Sequence, residues 1–160
     1  MRMTTVYLAL GANVGDTAAN IEQAVSLLAE KIAGIEQAPV YASKAVGYTD
    51  QPDFLNTALR GQTELPPLEL LKFIKEVEQR VGRVERFRWG PREIDIDIIF
   101  YGDQVFEDDG LAIPHPSFRE RDFVLKPLCD LEPDLIDPVS RLTVRKLLAG
   151  LPAGDGNILS

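Results

Sequence analysis

The sequence predicts an α+β fold, a ferredoxin-like βαββαβ sandwich: an antiparallel sheet with helices on one face, plus short C-terminal helices and two long loops. Three observations carry this reading. Short apolar runs rich in strand formers alternate with stretches of helical period. Their order between positions 4 and 101 is strand, helix, strand, strand, helix, strand. The length, 160 residues of which 45% are hydrophobic, suits one domain with a substantial core. Residues 1–160 are accordingly read as a single domain.

Thr4 to Leu10 (TTVYLAL) is the first strand, ending at Gly11. From Asp16 the period changes: Ile21, Ala24, Val25 and Leu28 fall at helical spacing, with Asp16 or Thr17 available to cap the N-terminus. Ile35 to Tyr41 reads as the second strand. Ser43 to Asp53 carries turn residues and little periodicity, which predicts a long loop. Phe54 to Thr63 is the third strand. Pro66 to Gly82 is a helix with Leu70, Phe73, Ile74, Val77 and Val81 on one face. Arg83 to Pro91 has no period and is expected to form a second long, mobile loop. Ile94 to Tyr101 is the fourth strand, and Gly102-Asp103 turns toward Gln104 to Phe106. The tail from Leu111 adds short helices and turns, including a helix near Val144 to Leu148. Two loops of this length in a small domain point to function.

Composition narrows the classes. No window approaches the roughly 18 apolar residues of a membrane span, and MRMTTVYLAL lacks the apolar core and cleavage site of a signal peptide. A cytoplasmic protein with no membrane partner is expected. Cys129 is the only cysteine, so an internal disulfide and a cysteine-based zinc site are excluded, and its apolar setting reads as core. A net charge of −8 argues against nucleic-acid partners, whose binding draws on clustered Lys and Arg. Yet five of the eleven arginines, Arg80, Arg83, Arg86, Arg88 and Arg92, fall within positions 80–92. Such a group fits a small, highly charged anion, which guanidinium forks bind bidentately. The ordinary alternative is a salt-bridged loop with Glu85 and Glu93 as partners, and the residues alone leave both readings open.

The chemistry concentrates in RWGPREIDIDIIFY (88–101). Successive strand side chains alternate between faces, so Asp95 and Asp97 leave one face while Ile94, Ile96 and Ile98 take the other. Two adjacent carboxylates suit a hard cation such as Mg²⁺, usually held by one or two carboxylates plus substrate phosphates. The competing reading is an edge strand charged against aggregation. Arg92 nearby favours the cation, because acids for Mg²⁺ and arginines for phosphate oxygens are the minimum set for phosphoryl transfer. GANVGD (11–16) lies between strand and helix but lacks the phosphate-loop spacing, so a capped tight turn is expected. Asn13 is the residue of this turn best placed to contact a ligand. His115, the only histidine, lies between prolines just ahead of Arg119 and Arg121. It is either structural or a donor to phosphate. Phe54, Trp89 and Phe123 sit at loop edges, where aromatics either pack into the core or sandwich a flat heterocycle.

GANVGD (11–16), DQPDFLN (50–56), RWGPREIDIDII (88–99) and PHPSFRERDFVL (114–125) together resemble the 6-hydroxymethyl-7,8-dihydropterin pyrophosphokinase family. The resemblance implies a single pterin pyrophosphokinase domain that transfers pyrophosphate from ATP to the pterin's hydroxymethyl group, releasing AMP, in folate biosynthesis. It implies two Mg²⁺ ions on Asp95 and Asp97, with Arg83 and Arg92 joining those carboxylates as catalytic residues. ATP would be bound by Glu78, Trp89, Arg92, Ile98, His115 and Arg121. The pterin would meet Ser43, Val46, Phe54, Asn56, Asp95 and Phe123, with Phe54 standing where the family commonly has tyrosine. A monomer is expected, with a dimer as the alternative. Two rival classes compete: a non-catalytic nucleotide-binding regulatory module, which leaves the 50–56 segment unexplained, and a two-metal nuclease, which the net charge disfavours.

Overall fold

Strand β1 (Thr4–Ala12) is buried continuously from Val6 to Ala12, on both faces, which places it at the centre of a sheet. The computed structural model describes every residue except Met1, Val46, Gly47, Thr49, Glu85, Arg88, 153–156 and Ser160. After β1 come α1 (Thr17–Leu28), β2 (Ala33–Gln37), β3 (Tyr41–Ser43), β4 (Phe54–Thr63), α2 (Pro67–Val81) and β5 (Asp95–Tyr101). They are followed by a small hairpin of β6 (Phe106–Asp108) and β7 (Leu111–Ile113), a 3₁₀ turn at Phe118–Glu120, α3 (Asp122–Leu131) and α4 (Val144–Ala149).

The sheet order is β2-β4-β1-β5, with every pairing antiparallel, the ferredoxin-like arrangement the element order predicts. β2 and β3 both pair with β4, β2 along Leu59 to Gln62 and β3 along Phe54 to Asn56. The expected single strand over 35–41 is therefore two. Pro39 has no N–H to contribute to a ladder, and the chain between the two strands is held instead by Ala38 N–H donating to Ala58 O and by Thr57 Oγ1 donating to Ala38 O.

Helix boundaries follow local chemistry. Asp16 caps α1 by accepting from Ala19 N–H at 3.2 Å, so GANVGD is the capped turn its sequence predicts. α2 opens on Pro66-Pro67 and stops at Gly82, whose φ of 112° is a left-handed conformation that a side chain would strain. Leu70, Phe73, Ile74 and Val77 of α2 join Ile21, Ala24 and Leu28 of α1 over Val6, Leu8, Leu10, Ile94, Ile96 and Ile98.

The opposite face differs from the expectation of helices on one side only. α3 and α4 cover it, burying Val124, Leu125, Leu128 and Val144 against Tyr7, Ala9, Ala58, Ile99 and Phe100. Full burial of a leucine contributes about 2 kcal/mol, so Leu125 and Leu128 alone anchor α3 firmly. Pro127, inside α3, masks this helix in the sequence, since proline there removes a backbone bond. Cys129 packs, partly buried, beside this second core. Among the described residues, no helix is long and apolar enough to cross a membrane.

Candidate active site

Small residues on β1 make room for the site. Gly11 lies opposite Asp95 on one side and Asn56 on the other, while Ala9 lies opposite Asp97 and Ala58. Paired residues in a sheet share a face, so Asp95, Asp97 and Asn56 stand over a floor of glycine and alanine. A Cβ on Gly11 would lie 3.0 Å from Asn56 Oδ1 and 3.5 Å from Phe54 Cδ1, which is why this position carries no side chain. Above the floor lies a cavity of about 350 Å³.

The cavity gathers residues from distant segments. β5 supplies Asp95 and Asp97, and the preceding loop supplies Trp89 and Arg92. β3 and β4 supply Ser43, Phe54 and Asn56; the 115–123 segment supplies His115, Arg121 and Phe123. Lys44, Gly90 and Ser117, to which the sequence reading assigned no role, line it too. Val46 lies outside the described residues, as does Arg88 of the arginine cluster.

The arginine cluster divides. Arg80 pairs with Glu30 on the surface, and Arg86 makes a bidentate pair with Glu93 that holds the glutamate at about 2. These two follow the salt-bridge reading. Arg83 and Arg92 instead converge on Asp95, at 3.3 and 3.0 Å. Arg83 reaches it from outside the set of residues that line the cavity.

Two residues of the expected ATP set are not in the cavity. Glu78 is 3% exposed and spends both oxygens inside the protein: Oε2 accepts from Ile96 N–H at 2.8 Å and Oε1 pairs with Arg83 at 2.9 Å. Burial raises its pKa, against the opposing pull of the Ile96 N–H and Arg83. It is a clamp between α2 and β5. The Ile98 side chain lies in the core beneath the sheet, on the face away from the two aspartates.

Asn13 also turns inward. It is 3% exposed; its Nδ2 donates to Gln51 Oε1 (2.8 Å) and Pro52 O (2.9 Å), and its Oδ1 accepts from Arg92 N–H (2.8 Å). Its own N–H donates to Arg92 O at 3.0 Å. Gln51 continues the link by donating to Trp89 O at 2.7 Å, and the Tyr48 and Phe87 rings meet edge to face. Asn13 is thus a knot joining the β1–α1 turn to both loops rather than a ligand contact. Trp89 itself has a φ of 67°, an uncommon conformation for a bulky residue, beside a Gly90 whose Cβ would strike Phe87 O.

The electrostatics are polarised. Burial, then the neighbouring Asp95 carboxylate, raises the Asp97 pKa. His115 is shifted down by burial and by Arg121. Its Nδ1 accepts from Ser117 N–H at 3.2 Å, which leaves the ring proton on Nε2, 4.0 Å from Asp97 Oδ1. Among the described residues no three His, Cys, Asp or Glu side chains gather into a metal cage. A like-charged carboxylate pair fits a hard cation whose remaining ligands are water and phosphate, the Mg²⁺ pattern. One end of the cavity therefore suits a polyanion with its cation, and the Phe54, Phe123 and Asn56 end suits a flat polar heterocycle.

Comparison with known proteins places this geometry among relatives. The family described as 7,8-dihydro-6-hydroxymethylpterin-pyrophosphokinase matches residues 7–133. A 2-amino-4-hydroxy-6-hydroxymethyldihydropteridine pyrophosphokinase of Aquifex aeolicus is 48% identical over 144 residues, covering 90% of each chain. The protein of that name from Methylorubrum extorquens is 44% identical, covering 95% of this chain and 97% of its own. A folic acid synthesis protein of Dictyostelium discoideum is 45% identical, but this chain spans only 23% of it. Among solved structures, a Plasmodium falciparum HPPK-DHPS with pterin and p-hydroxybenzoate superimposes with a TM-score of 0.73 at 18% identity. That match covers 93% of this chain and 42% of the other, and it is a likeness of fold.

Proposed function

The chain belongs to the 7,8-dihydro-6-hydroxymethylpterin-pyrophosphokinase family, and from that premise we propose how its cavity divides the work of pyrophosphoryl transfer. The protein is a pyrophosphokinase of folate biosynthesis, moving pyrophosphate from ATP to the hydroxymethyl group of 6-hydroxymethyl-7,8-dihydropterin and releasing AMP. In that transfer the pterin oxygen bonds to the β-phosphorus as the bond from β-phosphorus to AMP breaks. One observation carries the assignment of roles: β5 presents Asp95 and Asp97 together above Gly11 and Ala9, with Arg92 3.0 Å from Asp95.

Asp95 and Asp97 would hold two Mg²⁺ ions. When bound, these supply charge neutralisation along the triphosphate and lower the pKa of the substrate hydroxyl. Arg92 and Arg83 face the same point and are the cations for the transferring phosphates. Arg121 and the Nε2–H of His115 address the rest of the ATP, and Trp89 contributes from its loop. Asn56, oriented by Ser43 Oγ at 2.5 Å, pairs with the hydrogen-bonding edge of the pterin. Phe54 and Phe123 flank its ring, and Asp95 borders the hydroxymethyl group. Alignment of oxygen, phosphorus and leaving group then carries much of the acceleration, and water exclusion protects the phosphoryl group from hydrolysis. Residues 1–160 act as one domain, as a cytoplasmic monomer.

The test mixes protein, ATP, Mg²⁺ and the hydroxymethyl pterin and follows the nucleotide product. AMP that depends on pterin is expected; ADP, or AMP regardless of pterin, would reject the reaction. Asp97→Ala should abolish turnover while keeping the fold, and Arg92→Ala should lower kcat far more than pterin affinity. Full activity in the first, or an effect confined to pterin binding in the second, would refute those roles.

A further inference from the structure

The sheet edge beside the heterocycle end of the cavity is closed by residues 157–159. β3 is only three residues long, and β4 holds it along one side. Along its other side Lys44 N–H donates to Asn157 O at 2.9 Å, Leu159 N–H donates to Ala42 O at 2.8 Å, and Ser43 and Ile158 form an antiparallel bridge. Among the described residues, one carboxylate oxygen hydrogen-bonds this segment to α3. Asp122 Oδ2 accepts from both Asn157 N–H (2.8 Å) and Ile158 N–H (3.0 Å). Asp122 stands between Arg121 and Phe123, so one oxygen joins the first turn of α3 to the tail, and the tail to β3.

Resting on the pyrophosphokinase reading, we propose that Asp122 is a positioning residue that sets the pterin end of the cavity through residues 157–159. A three-residue strand paired along one side frays easily, because few backbone bonds oppose its opening. The tail adds a second side of pairing, and the charge-assisted bonds that its N–H groups donate to Asp122 hold it in place. Ser43, at the centre of this arrangement, is 1% exposed, and its Oγ accepts from Asn56 Nδ2. Loss of the tail therefore frees Ser43 and lets the Asn56 amide turn, while Phe123 loses its neighbour's tether. Among the described residues, Asp95, Asp97, Arg92 and His115 stand on segments that the tail does not bond; only Arg121 of the phosphate end adjoins Asp122, so that end should lose far less than the pterin end.

Four variants of residues 1–160 test this: Asp122→Ala, Asp122→Asn, Leu159→Pro and the double variant Asp122→Ala/Leu159→Pro. Leu159 is exposed, and proline there removes the N–H given to Ala42 and favours extended backbone at Ile158, with no side chain of α3 or of either core replaced. Equilibrium binding of 6-hydroxymethylpterin and of a non-hydrolysable ATP analogue is measured for each, with wild-type binding and AMP release alongside. Asp122→Ala and Leu159→Pro should each weaken pterin about tenfold, the worth of one or two hydrogen bonds, with nucleotide affinity changed less than about twofold. The double variant should bind pterin no worse than the weaker single. Asp122→Asn, which keeps one oxygen able to accept both N–H groups but not the charge, should recover most of the wild-type affinity. Unchanged pterin binding in Leu159→Pro, equal losses for both ligands, or Asp122→Asn as weak as Asp122→Ala would overturn the proposal. A wild-type protein that binds no pterin and releases no AMP would instead overturn the functional reading beneath it.

Discussion

Asp137→Ala should remove about 2–4 kcal/mol of stability, less than the roughly 3–5 kcal/mol typical of a fully buried charge pair because Arg119, the partner left behind, is 26% exposed. The structure gives this carboxylate no solvent and four donors. Its Oδ2 accepts from Arg119 Nε at 2.5 Å and Ser140 Oγ at 2.7 Å, and its Oδ1 accepts from Arg119 Nη2 at 2.9 Å and Val139 N–H at 3.0 Å. Burial alone would raise its pKa, but the bonds from Arg119, Ser140 and Val139 prevail and hold it at about 2, against an ordinary 3.8. Because the folded value is depressed, the contribution is fully present above pH 4 and is lost as pH falls toward 2. It amounts to about 2.5 kcal/mol by linkage, consistent with the lower end of the first figure. For a chain of this size, 3 kcal/mol corresponds to a drop in Tm on the order of 10 °C. The consequence reaches the site, because Arg119 lies in the turn between His115 and Arg121, and its release should raise KM for ATP more than KM for pterin. The assay is urea unfolding of wild type and variant at pH 7 and pH 3, with steady-state kinetics at pH 7. A loss below about 1 kcal/mol at pH 7, or a stability gap that does not narrow at pH 3, would refute the reasoning.

Two further outcomes follow from residues that turn inward. Glu78→Ala should cost about 2–3 kcal/mol by leaving Ile96 N–H unpaired in the core, whereas Glu78→Gln, which keeps that acceptor, should cost less than about 1 kcal/mol while still lowering turnover through Arg83. Equal destabilisation of the two variants in denaturant melts would contradict the hydrogen-bond role. Asn13→Ala breaks the bonds to Gln51, Pro52 and Arg92 at once, so KM for both substrates should rise and the Arg92 amide should exchange hydrogen faster, by about tenfold or more. Unchanged exchange at Arg92 would show that the knot does not order the loop.

Hydrophobic period is a local property, and the elements that depend on it are legible without coordinates. β4 spans the predicted Phe54 to Thr63, and α2 lies within the predicted Pro66 to Gly82. The face shared by Asp95 and Asp97 follows from strand alternation alone, and the resemblance of four segments names the chemistry. What tertiary structure decided are the partners of polar groups. Asn13 and Arg92 are 79 positions apart, and nothing in GANVGD tells that its amide bonds inward rather than to a ligand. Glu78 sits on a helix face that period marks as core, and the nucleotide contact that the family resemblance implies for it gives way to bonds with Ile96 N–H and Arg83 that occupy both oxygens. Arg80 and Arg86 look no different in sequence from Arg83 and Arg92; only packing leaves the first pair on Glu30 and Glu93 and brings the second to Asp95, with Arg83 also holding the buried Glu78. The second helical face and the tail beside β3 were hidden for the same reason. A buried hydrogen bond is chosen by whatever comes within about 3 Å after the chain has folded, whereas a hydrophobic stripe is written residue by residue along the chain.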